Sequence, residues 1–121
     1  MVALILSYIV TEIGRHVYRP IIYQNGINDF GLADSIGNIG GIIAQIFLGL
    51  VLMNSNLKQG FRVIGVLIIG YIFYEFMQPL LPKGTFDWKD VFGTVLGGML
   101  AGIVFFMIQK CLKKNRILYK F

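Results

Sequence analysis

The stretch YIFYEFMQPLLPKGTFDWKDVFGTVLGGMLAG, residues 71–102, decides the fold. An apolar run meets a short turn punctuated by Pro82 and Gly84, and a second, glycine-rich apolar run follows. Pro and Gly so placed end one helix and open the next, so the stretch is expected to form a helical hairpin. Four polar side chains gather at its seam: Glu75, Gln78, Asp87 and Asp90. A carboxylate inside an apolar span costs a few kcal/mol unless it is paired or hydrogen-bonded. Glu75 therefore needs partners, and they are expected at the mouth of the second run.

The rest of the chain extends the same pattern. Of 121 residues, 56% are hydrophobic and only 14% charged, with a mean hydropathy of +0.72. Soluble domains carry about 25% charged residues, so the composition is that of an all-α integral membrane protein. Spanning by helix takes about 20 residues. Four spans are expected in one domain covering 1–121, at approximately 2–18, 33–53, 62–81 and 90–110. The first apolar run is short before Glu12 and needs Thr11–Val17 to complete a crossing. It lacks both the leading basic residue and the small-residue cleavage site of a signal peptide.

An internal repeat argues for that first span. YIVTE at residues 8–12 matches YIFYE at 71–75. Asp34, Gly37, Asn38 and Gly41 match Asp90, Gly93, Thr94 and Gly97 in a shared D-x-x-G-[N/T]-x-x-G pattern. Both point to a duplicated helical hairpin. Copies entering the membrane in the same orientation are related by an axis along its normal. Glu12 and Glu75 are then expected at equal depth, with Glu12 or Asn38 facing Glu75, Gln78 and Asp90, and Asp87 on the loop above. The small-residue pairs Gly37/Gly41, Gly93/Gly97 and Gly98/Gly102 allow close helix approach, inside the bundle or between copies in a homo-oligomer.

Charge sets an orientation. With four spans, Lys58, Arg62, Lys110, Lys113, Lys114, Arg116 and Lys120 share one side without an acid. All six acids fall on the other side or in the membrane near it. The positive-inside rule then places both termini in the cytoplasm of a bacterium, with the acidic seam facing outward. The net charge of +5 is explained by this distribution and is no sign of nucleic acid. The one cysteine, Cys111, forms no internal disulfide, and the one histidine, His16, builds no metal site by itself. No Ser/His/Asp set, Cys nucleophile with a base or phosphate loop is present, so no catalytic residue, metal or cofactor is assigned.

E-x-x-Q, a Pro/Gly turn, T-F-D-W-x-D and a glycine-rich helix together resemble the VanZ-like family of bacterial membrane proteins. The likeness covers Glu75 to about Gly102, and Glu75, Gln78, Phe86, Asp87, Asp90 and Gly97 fit the family's pattern. Where Gly84 stands the family often has Arg, and where Thr94 stands it often has Asn. The resemblance implies an envelope role linked to resistance against glycopeptides such as teicoplanin.

The leading expectation is thus an outward polar pocket of Glu75, Gln78, Asp87, Asp90, Glu12 and Asn38. Its ligand would be a lipid head group, a cell-wall precursor or a glycopeptide. Two alternatives stay open: a membrane enzyme acting on a lipid-linked substrate with Glu75 or Asp90 as acid or base, and an oligomeric ion or proton path lined by Glu12 and Glu75.

Overall fold

The computed structural model describes residues 1–53 and 56–118, and among them helix is the only regular structure. The chain opens with α1, Val2–Ile13, which runs through a π-helical turn, Gly14–Tyr18, into α2, Arg19–Gln24. Backbone angles stay helical across both joints, so residues 2–24 form one rod roughly 35 Å long. The rod continues as helix past residue 18, where the first span was expected to end. Pro20 does not break the rod, because it falls in the first turn of α2, directly after the wide π turn. There its missing N–H costs little. The rod stops at Gly26, whose left-handed φ of +59° closes the end with bonds from Gly26 and Ile27 back to Tyr23 and Ile22.

Helix α3, Leu32–Met53, begins under Asp29, whose carboxylate accepts from the backbone N–H of Gly31 and Ala33. Helix α4, Leu57–Met77, begins five residues before the expected 62. Asn56 and Gln59 form a reciprocal capping box there, which satisfies the N-terminal amides without apolar residues. A 3-10 turn, Gln78–Leu80, ends it. Helix α5, Trp88–Leu118, continues past the expected span end at 110 through Lys110, Lys113 and Lys114, which are good helix formers. Lys120 and the Arg116 side chain, counted above with the basic end, lie outside the described residues.

Among the described residues three helices are long and apolar enough to cross a membrane: Leu32–Met53, Leu57–Leu80 and Trp88–Asn115. The bundle's outer surface agrees. Leu6, Ile9, Val66, Ile69, Phe73, Met99 and Ile103 are all exposed, an apolar area that soluble monomers do not present.

Helices α3 and α5 form the central pair. The α1 rod packs on α3, α4 packs on α5 and less extensively on α3, and α1 and α4 do not touch. Ile42, Ile46, Phe47, Leu50, Ile64, Ala101 and Phe105 fill the centre. Lipid is as apolar as these side chains, so close van der Waals contact holds the pair together. Gly97 provides it: a Cβ there would lie 2.6 Å from the Ile39 carbonyl oxygen and 2.5 Å from Ile42 Cγ2. The Gly93/Gly97 pair thus serves packing within the chain.

The turn between α4 and α5 is built on Gly84. A Cβ at this position would stand 2.0 Å from the carbonyl oxygen of Gln78. A side chain does not fit at this position, and Lys83, with a left-handed φ of +65°, carries the turn's basic side chain.

Candidate functional site

The starts of α3 and α5 lie side by side, joined by the Ser35 hydroxyl donating to the Lys89 carbonyl at 3.0 Å. The end of α4 and its 3-10 turn reach the same level, so one end of the bundle collects the acids. They divide into two sets.

The first set has cations. Asp34 accepts from the Tyr23 hydroxyl and from Lys89 Nζ at 3.0 Å, and Arg19 stands 3.7 Å away. The Arg19 guanidinium also lies 5.5 Å over the Tyr23 ring. Glu12 pairs along its own helix with Arg15 at 3.6 Å and His16 at 3.2 Å. Arg15 passes over Gly37, where a Cβ would meet its guanidinium at 3.1 Å. Asp29, besides capping α3, accepts from the Tyr18 hydroxyl at 3.2 Å.

Among the described residues the second set forms no ion pair of its own: Lys89 is bonded to Asp34 and reaches Asp87 and Asp90 only at longer electrostatic range. Glu75 is only 3% exposed, and its carboxylate accepts from the Gln78 side-chain amide. Asp90 and Asp87 both lie within electrostatic reach of it, and the Asn38 side chain of α3 faces the Asp90 carboxylate as a potential donor. Asp87 accepts from the backbone N–H of Lys89 at 2.9 Å and so caps α5. Among the described residues no Lys, Arg or His forms an ion pair with Glu75, Asp87 or Asp90.

Five of the six expected site residues therefore come together: Glu75, Gln78, Asp87, Asp90 and Asn38. Glu12 does not join them. The repeat placed it level with Glu75, but it sits on a helix that never touches α4, and its carboxylate is spent on Arg15 and His16.

Sequence reasoning missed three neighbours. The Asp34 hub draws on partners 11, 15 and 55 residues away, so no local spacing announces it. Thr94, one turn below Asp90 on the same face, is fully buried, and its hydroxyl oxygen has no hydrogen-bond partner. The pattern Asp90-x-x-x-Thr94 was the available signal. Lastly, Phe86 stacks on Phe76 at 5.1 Å and meets Trp88 edge-on at 5.0 Å. This aromatic trio flanks Glu75 and Asp87 in sequence and suits the membrane–water boundary.

The arrangement offers several carboxylate oxygens and few donors. Such oxygens are suited to accept hydrogen bonds from donors or to face one cationic group. No group of three or more His, Cys, Asp or Glu side chains is arranged to hold a metal among the described residues. Comparison of the chain with protein-family models, characterised proteins and solved structures gives no match.

Proposed function

We propose that this is a multi-pass protein of a bacterial cytoplasmic membrane whose acidic end faces outward and binds a donor-rich ligand. The ligand is a lipid head group, a cell-wall precursor or a glycopeptide. In this reading the α1 rod is a fourth crossing, both termini are cytoplasmic, and α1/α3 and α4/α5 are the two duplicated hairpins. The resemblance to the VanZ-like family supports an envelope role.

One observation carries the proposal: Glu75 is nearly fully buried beside Asp90 with an amide, and no cation, as its partner. A buried carboxylate is normally matched by a base or by several hydrogen-bond donors, and among the described residues Glu75 has the Gln78 amide alone. In this reading the ligand supplies the match that the chain lacks.

The test is binding of teicoplanin and of phosphatidylethanolamine to purified protein in nanodiscs, for wild type and Glu75→Gln. The amide fills the same space and keeps one acceptor. Loss of binding with helical content and melting unchanged supports the site. Binding equal to wild type by Glu75→Gln removes it.

A further inference from the structure

The opposite end of the bundle holds a second feature. Between α3 and α4 runs an open groove of about 610 Å³, within the range of roughly 300–1,000 Å³ typical of small-molecule sites. Leu48 and Leu52 form one wall, Val63, Val66 and Leu67 the other, and Gly49 lies at the bottom, where a Cβ would meet Val63 at 3.2 Å. Arg62 closes one end of the groove. Its side chain is exposed and has no acidic partner among the described residues.

The charges around it are of one sign. Lys58 lies one helical turn before Arg62 on the same face, while Lys110, Lys113 and Lys114, exposed on α5, are not among the groove's lining residues. The nearest acid along α4 is Glu75, thirteen residues on, or roughly 20 Å. The groove therefore joins an apolar slot, open sideways on the lipid-facing surface, to a basic lip at the membrane border.

We propose that this groove seats one anionic phospholipid of the leaflet at the basic end. An acyl chain lies along Leu48, Leu52, Val63 and Val66, and the phosphate sits on Arg62 with Lys58 behind it. An apolar slot capped by an unpaired guanidinium matches a molecule with an apolar tail and an anionic head, and basic pockets between spans favour such lipids. Arg offers a forked set of donors suited to phosphate oxygens. The site is independent of the acidic seam and of which leaflet the basic end faces.

Native mass spectrometry of the purified full chain tests this, with phosphatidylglycerol and phosphatidylcholine supplied in equal amounts. One phosphatidylglycerol is expected to stay bound per chain. Arg62→Gln should weaken its retention about fivefold, the factor one basic side chain near an anionic surface is worth. Lys114→Gln removes the same charge from α5 and should leave retention unchanged. Val66→Trp, which fills the slot but keeps Arg62, should expel the lipid; both exposed-site variants are read only with helical content intact. Equal retention of the two lipids overturns the proposal, as does a loss in Lys114→Gln matching that in Arg62→Gln. Displacement by soluble glycerol phosphate would show that the head group alone binds, and a lipid-free dimer would show that a second copy covers the groove. Either result overturns it too.

Discussion

Gly97 of α5 rests directly on the backbone of Ile39 in α3, close enough that a Cβ would stand 2.6 Å from the Ile39 carbonyl oxygen. Its counterpart in the sequence repeat, Gly41, has nothing within 4 Å of the same imaginary atom. The two positions should answer oppositely to one methyl group. Gly97→Ala is expected to destabilise by about 1–3 kcal/mol through overpacking against backbone that cannot yield. Gly41→Ala should be neutral or stabilising by up to about 1 kcal/mol, from helix propensity. Thermal unfolding in detergent, followed by circular dichroism, reads both.

Gln78 supplies the one side-chain hydrogen bond seen at Glu75. Gln78→Leu leaves a buried carboxylate without that donor, at an expected cost of about 1–3 kcal/mol. Glu12→Gln removes a half-solvated pair with Arg15 and should cost no more than about 1 kcal/mol. Comparable losses in the two variants would mean that Glu12 and Glu75 play equivalent parts after all.

Thr94 buries a hydroxyl with no partner. Thr94→Val keeps the shape and removes the stranded group, so it should stabilise by about 1 kcal/mol. If the hydroxyl serves the proposed ligand, the same variant weakens binding while it raises the melting temperature. A fall in stability would show that the hydroxyl is satisfied.

Orientation is tested by labelling in intact cells with a membrane-impermeant thiol reagent, after Cys111→Ser removes the exposed native thiol. Lys83→Cys should label from outside and Lys58→Cys only after permeabilisation. Val2→Cys, at an exposed position on α1, decides the number of crossings. Protection together with Lys58→Cys means that the first rod crosses. Labelling together with Lys83→Cys means that it lies at the outer surface, leaving three spans.

Much of this protein was determined by sequence alone. Hydrophobic runs of membrane-crossing length and a Pro/Gly turn are local properties, and they specified the α4/α5 hairpin and an all-helical chain. Glu75 and Gln78 three residues apart on one helix had to meet, and a short turn had to bring Asp90 alongside. The tertiary structure decided what local spacing does not encode. Asp34 finds Lys89 across 55 residues because α3 and α5 start side by side. Asn38, not Glu12, faces the seam because the central pair is α3 with α5, which leaves α1 and α4 on opposite flanks. A repeat equates positions along the chain. Which helix each one faces is set by the close contacts glycine permits between helices, and those differ between Gly41 and Gly97 although the letters are the same.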